Sequence, residues 1–189
     1  MFIDQRHKVV FLHVPKTAGL SIFTVFGHQL ETRLSHFTPA EAKQFIFQET
    51  WSEYWKFAFV RNPWDRYVSL YEFHRQSDYI FRRNVESKKI AMSNNFKDWV
   101  YLNYNKFVSS TWFSETQSIW WKEADVVFKM EEMDSAIEEI KQHMPMLKPL
   151  DRINTTQHSA YQSYYTSKST IDMIARLEHE TIEKFGYTF

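Results

Sequence analysis

A chain of 189 residues carries 23 Lys plus Arg against 23 Asp plus Glu, for a formal net charge of zero at pH 7. That balance sets aside general nucleic-acid binding, which needs a basic excess, and 43% hydrophobic with 18% aromatic residues sets aside disorder. With no cysteine, disulfide frameworks and thiol chemistry are out as well.

The first predicted strand spans 8–13 and centres on Val9-Val10-Phe11-Leu12. It stops at Pro15, and Lys16-Thr17-Ala18-Gly19 leads into helical periodicity predicted over 18–30. Such a junction presents backbone N–H groups and the positive end of a helix dipole, with the lysine as a point charge beside them. It reads as an anion cradle; the plainer alternative is an ordinary strand-to-helix turn with a solvated lysine. A weaker strand is predicted at 32–36, and Thr38-Pro39-Ala40-Glu41 is a capping box that starts a helix over 39–49.

The next strand, at 56–60, ends in Arg61-Asn62-Pro63-Trp64-Asp65-Arg66. Asn62 suits the N-cap, Pro63 the first helical position and Asp65 the first turn of a helix over 63–76, with Ser69 about two turns in. A guanidinium at that turn offers a planar fork of donors to a phosphate, and a serine hydroxyl adds one more. Further on come a helix at 95–103, a strand at 125–129 and helices at 134–144 and 170–185, the last starting near Ser169-Thr170 and stopped by Gly186. Strands alternating with helices imply an α/β fold, a central parallel sheet with helices on both faces. Ligands of such sheets bind beyond the strand carboxyl ends, where Lys16 and Arg61 both fall. No linker, repeat, leader pattern or run of about 18 apolar residues interrupts the chain, so one domain over 1–189, cytoplasmic and without a membrane span, is expected.

Two motifs taken together resemble the sulfotransferases that use 3′-phosphoadenosine 5′-phosphosulfate (PAPS). Phe11-Leu12-His13-Val14-Pro15-Lys16-Thr17-Ala18-Gly19 is similar to their 5′-phosphosulfate loop, and Val60-Arg61-Asn62-Pro63-Trp64-Asp65-Arg66 through Ser69 to their 3′-phosphate motif. Gln117, Val126-Val127-Phe128-Lys129-Met130-Glu131, Ile153-Asn154, Tyr164-Tyr165 and Phe185-Gly186-Tyr187 follow in the family's order. The resemblance is to the carbohydrate, Golgi-type branch (sulfotransferase family 2), as a small soluble bacterial-type member. It implies a P-loop-like nucleotide-binding fold, PAPS as sulfuryl donor, no metal, and a small-molecule or glycan acceptor with a free hydroxyl. Carried over residue by residue, it assigns the 5′ end to Pro15, Lys16, Thr17, Ala18, Gly19, Leu20 and Ser21, and the 3′-phosphate to Arg61 and Ser69. Leu20 departs from the pattern, which has Thr or Ser there, and leaves Thr17 or Ser21 to supply the missing hydroxyl. No glycine precedes Lys16 at Walker A spacing, which weighs against a kinase.

Sulfuryl transfer to a hydroxyl needs a base, and an imidazole titrating near neutrality suits that role. His36, just before the capped helix, is the first candidate, against the alternative of a turn histidine bonded to backbone. His13 has an orienting place in the motif, and His28 a surface one. Lys16 is the second catalytic candidate, stabilising charge on the leaving phosphate. Asp65 and Arg66 read as an exposed structural pair, and Glu131 as a structural residue. The aromatics of 96–121, among them Phe96, Trp99, Trp112 and Trp120, read as core before sugar platform. Arg75, Arg82, Arg83, Lys88 and Lys89 read as a solvated basic face, and the polar, Tyr-rich stretch 154–168 as a loop over the nucleotide. A module that binds the spent nucleotide PAP without turnover is the alternative function, motivated by Leu20; a P-loop-like small-molecule kinase stands behind it.

Overall fold

Val9–Leu12 is buried at every position, and Trp55–Val60 at all but its first. Such continuous burial, without alternation, is the mark of strands covered on both faces. The one charge in the second run, Lys56, places its ammonium 3.0 Å from an Asp125 carboxylate oxygen. The computed structural model describes residues 1–27, 36–76, 85–104, 115–145, 148 and 158–189. Its elements are β1 (Phe2–Asp4), β2 (Val9–Leu12), α1 (Gly19–Val25), α2 (Pro39–Ala42), α3 (Gln48–Glu53), β3 (Trp55–Val60), α4 (Pro63–Gln76), α5 (Val85–Ser93), α6 (Phe96–Tyr104), α7 (Ser118–Trp121), β4 (Val126–Lys129), α8 (Met133–Ile140), α9 (Lys168–Leu177) and α10 (His179–Phe185).

The fold is α/β, with a four-stranded sheet in the order β1-β2-β3-β4, flanked by helices. β2, β3 and β4 run parallel, in register Leu12↔Ala58 and Val60↔Lys129. β1 is an addition to the expected parallel sheet: it pairs antiparallel with β2 across a turn in which His7 N–H donates to Asp4 Oδ1 at 2.8 Å. Of the strand expected at 32–36, only His36 lies among the described residues, and it sits in a turn. The end of the helix expected at 18–30 likewise falls outside them; α1 closes at Val25 and Gly27 takes φ 73°.

The chain forms two compact units, Met1–Arg61 with Gln117–Thr155, and Asn62–Thr116 with Thr156–Phe189. The first holds the sheet. Its core gathers Phe2, Phe11, Phe23, Phe57 and Phe59 with Ile137 and Ile140 of α8, and the Phe11 and Phe57 rings stack at 4.9 Å. The capping box is present: Glu41 N–H donates to Thr38 Oγ1 at 3.3 Å and Thr38 N–H to Glu41 Oε2 at 2.8 Å. The single helix expected over 39–49 is nonetheless two, α2 and α3. Only Pro39 and Ala42 of α2 are buried, too little apolar surface to carry a longer helix.

In the second unit Asn62 caps α4 as expected, its Oδ1 accepting from Trp64 N–H at 3.1 Å and Asp65 N–H at 3.4 Å. Trp64, Tyr67, Val68, Leu70 and Tyr71 of α4 pack with Phe96, Trp99 and Val100 of α6 and Ile174 of α9. Phe96 and Trp99 are thus core, as is Trp120 in the first unit; Trp112 lies outside the described residues. α5 and α7 are elements that periodicity did not reveal. The helix expected over 170–185 begins earlier, at Lys168, and breaks at Glu178, where φ is −102° and ψ 20°.

The break has a chemical cause. Glu178 and Arg66 form an ion pair at 2.9 Å with both side chains fully buried. Arg66 Nη2 donates to Glu115 O at 3.1 Å, and Thr181 Oγ1 to Glu178 Oε2 at 3.0 Å. Arg66 is therefore not the exposed partner of Asp65, whose carboxylate lies 3.7 Å from His158 Nε2. Removing one member of such a pair strands the other charge in a dry environment, at about 3–5 kcal/mol. Glu178→Ala should lower unfolding stability by about that amount in urea, with Arg66→Met added to it recovering a large part. A loss below about 1 kcal/mol, the range of exposed pairs, would show that the pair is not what holds α9 and α10.

Candidate functional site

Because β2 and β3 are adjacent and parallel, the segments that follow them leave the sheet at the same end, beyond the strand carboxyl termini. After β2 the chain passes through buried Val14 and Pro15 into the loop of Lys16, Thr17 and Ala18. Lys16 takes φ 71° and Ala18 φ 59°, whereas Thr17 between them is not left-handed. Alternating handedness of this kind turns successive N–H groups toward one side and makes a nest for an anion. It is costly for residues with a Cβ, roughly 1–2 kcal/mol at each position. Thr17 Oγ1 donates to Val14 O at 2.9 Å and closes the loop from beneath. Its hydroxyl proton is thereby spent inside the loop.

Ala18 is the N-cap of α1 and has no side-chain acceptor for the helix's first N–H groups. Gly19 follows, and any Cβ there would land in the imidazole of His13. The glycine is required by that close approach. Leu20 is half-buried and its carbonyl accepts from Thr24 Oγ1 at 2.9 Å, while Ser21 is buried.

Arg61 is the first residue beyond β3, and its backbone is held from both sides. Its N–H donates to Gln117 Oε1 at 2.9 Å, and Gln117 Nε2 donates to its carbonyl at 2.9 Å. The Gln117 side chain is fully buried, so the amide serves as a substitute strand neighbour where the ladder runs out. The guanidinium then reaches across: Nη1 donates to the Lys16 carbonyl at 3.3 Å. Burial first, and the Arg61 charge second, pull the Lys16 ammonium down from 10.5 to about 7. Burial and a neighbouring cation both disfavour the charged ammonium, and an anion bound beside them would favour it.

Of the residues expected at the site, Pro15 through Ser21, Arg61 and His36 belong to the first unit, and Ser69 is a buried residue of α4 in the second. His36 precedes the capping box, and its neighbour Phe37 is pinned by Trp120 Nε1 donating to Phe37 O at 3.0 Å. The His36 ring lies 4.4 Å from that of His13, a pairing no local pattern announces. Gln117 was legible only as a landmark in the order of motifs, not as a clamp. Glu131 is exposed in a 3₁₀ turn over Met130–Glu132, and His28 lies outside the described residues.

A mostly parallel sheet whose β2 and β3 carry Lys16 and Arg61 just beyond their carboxyl ends is an α/β architecture of the kind that binds ligands at that end. The model of the sulfotransferase family matches residues 1–185, and the chain belongs to that family, whose reaction is sulfuryl transfer. No curated protein and no solved structure matches it.

The lowered Lys16 carries a prediction with a definite sign. An anion in the nest favours the charged ammonium, so anion binding should take up a proton at pH values from about 7 upward and weaken as pH rises. Titrating pyrophosphate by calorimetry at pH 8, in two buffers of different ionisation enthalpy, should reveal that uptake. Lys16→Met should abolish it; identical heats in both buffers for the native protein would contradict the assignment. Stability of the ligand-free protein should conversely rise with pH between about 7 and 10.5, where the unfolded chain holds the Lys16 proton and the folded one has lost it.

Proposed function

We propose that the protein transfers a sulfuryl group from PAPS to the hydroxyl of an acceptor, a carbohydrate in the first instance. The observation that carries this reading is the convergence of Lys16 and Arg61, with the guanidinium bonded to the carbonyl of the nest's own lysine. PAPS has an anionic group at each end, and residues of the first unit fit it: the nest of Lys16 to Ser21 for the 5′-phosphosulfate and Arg61 for the 3′-phosphate; the family resemblance alone adds the Ser69 hydroxyl. What PAPS supplies is a sulfuryl group already activated on a phosphate leaving group.

The chain's own residues do the rest. Lys16, recharged by the bound anion, stands where negative charge accumulates as the sulfur–oxygen bond to the phosphate breaks, and backbone N–H groups of the nest add to it without moving. Arg61 meets a charge that stays constant through the reaction, so its part is binding. His36 takes the proton of the acceptor hydroxyl on an imidazole nitrogen as the new oxygen–sulfur bond forms, and returns it to water after product leaves.

One observation favours a second reading. With Leu20 in place of a hydroxyl residue and the Thr17 proton held by Val14, the nest has fewer side-chain donors than the motif normally brings. A protein that binds PAP without turnover would be built this way. Labelled sulfate from PAPS, offered with a panel of oligosaccharides, phenols and lipid alcohols, separates the two. Transfer to any of them supports the enzyme; tight PAP binding with no transfer across the panel supports the module; no binding of PAP or PAPS defeats both.

The two cations should fail differently. Lys16→Ala should act mainly on kcat, costing on the order of 2–4 kcal/mol of transition-state stabilisation. Arg61→Ala should weaken PAP binding and, because it also frees the Lys16 carbonyl, lower kcat as well. PAP affinity unchanged in Arg61→Ala would refute the placement of the 3′-phosphate. For the base, His36→Ala and His36→Asn should each keep PAP affinity and lose about 10²–10⁴ in turnover. A folded His36→Ala protein with native turnover would remove His36 from the mechanism.

A further inference from the structure

We infer that Gln117 is the positioning residue of Arg61: given that Arg61 meets the donor's 3′-phosphate, the buried Gln117 amide sets where the guanidinium points and so how tightly the nucleotide is held. β3 ends with Val60 paired to Lys129, and α4 starts at Pro63 under the Asn62 cap. Arg61 stands between the two, beyond the ladder and before the helix. Gln117 takes over there with both ends of one amide: Oε1 accepts from Arg61 N–H at 2.9 Å, and Nε2 donates to Arg61 O at 2.9 Å. An amide bonded at both ends fixes the backbone on either side of the Arg61 Cα, and with it the direction in which the side chain leaves. The guanidinium lies at the far end of a long side chain, so a small rotation at the Cα is magnified at the tip.

The amide is itself delivered by a fixed element. Gln117 caps α7, its carbonyl accepting from Trp120 N–H at 3.1 Å and Trp121 N–H at 3.2 Å. Trp120 is fully buried, and its indole donates to Phe37 O at 3.0 Å. Arg61, Gln117, Trp120 and Phe37 all belong to the first unit, so α7 ties the end of β3 to the segment that enters α2. At the other end of its side chain Arg61 donates from Nη1 to the Lys16 carbonyl at 3.3 Å. That bond is longer than the two made by Gln117 and acts on the tip of the side chain, whereas Gln117 acts on its root. A guanidinium bonds a phosphate through a planar fork that works in a narrow range of orientations. Misdirecting the fork therefore costs affinity while leaving its charge in place.

The test follows the guanidinium as well as the ligand. In protein labelled with ¹⁵N-arginine, relaxation of the Arg61 Nε–H should report an ordered side chain in the native form. It should report a mobile one in Gln117→Met, which keeps the length of the side chain and loses both bonds. Affinity for PAP, measured by calorimetry, should fall about 10- to 100-fold in Gln117→Met, the loss expected of a charge-assisted contact that no longer aligns. Gln117→Glu, when ionised, still accepts from Arg61 N–H but donates nothing to Arg61 O, so it should show the same two changes; it serves if the methionine variant does not fold. In the double variant with Arg61→Ala, Gln117→Met should cost no further PAP affinity, since it acts through Arg61. A general loosening of the site would instead add its cost in either background. Unaltered Arg61 relaxation in a folded Gln117 variant overturns the inference, as does an additive loss in the double variant. A loosened guanidinium with undiminished PAP affinity keeps the positioning of Arg61 and defeats its assignment to the 3′-phosphate instead.

Discussion

Holding two cations against each other at one end of a sheet is the constraint around which the rest of this structure is arranged. Burial lowers the Lys16 ammonium, and repulsion from Arg61 adds to it. Each backbone is fastened separately: Lys16 by a loop tied to Val14 through Thr17, Arg61 by the buried amide of Gln117. The loop carries two left-handed residues with a Cβ, Lys16 and Ala18, strain of the kind that clusters at functional sites. The chain belongs to the sulfotransferase family over 1–185.

The second unit manages charge by the opposite rule. Arg66 also follows β3 closely in sequence, yet it is fully buried and completely answered by Glu178, the Glu115 carbonyl and, through Glu178, Thr181. Nothing is left over for a ligand. Glu72 on the same helix is likewise enclosed, accepting from Tyr164 at 3.1 Å, Arg75 at 3.1 Å and Gln76 at 2.9 Å. Two arginines five positions apart in one motif therefore differ in setting: Arg61 donates to the Lys16 carbonyl beyond β3, whereas Arg66 closes a buried ion pair with Glu178.

What could be read from the sequence was what neighbours in sequence decide. The Asn62 cap, the Thr38–Glu41 box, the stop at Gly186 and the placing of Lys16 and Arg61 at strand ends each depend on a few adjacent residues, and each is present. What escaped depends on partners far along the chain. The break at Glu178 exists to serve an arginine 112 positions away, and the Gln117 clamp reaches back 56 positions. Periodicity carries no word of either. β1 escaped for a different reason: at three residues it is shorter than one reliable alternation. The His13–His36 contact required knowing where a turn between two motifs returns in space, and no spacing encodes that.

The Gln117 amide has a topological meaning besides its local one. Arg61 is the last residue of the first unit before the chain departs, and Gln117 is the residue at which it comes back. The clamp is therefore a noncovalent staple across the neck of the whole Asn62–Thr116 excursion. Closing a loop costs entropy that grows only logarithmically with its length, about 0.6 kcal/mol for each doubling. Once the neck is stapled, the excursion can lengthen, shorten or be rewritten by evolution at almost no thermodynamic penalty to Arg61. A fold with such a neck can change the length of the excursion while the backbone of Arg61 stays held by Gln117.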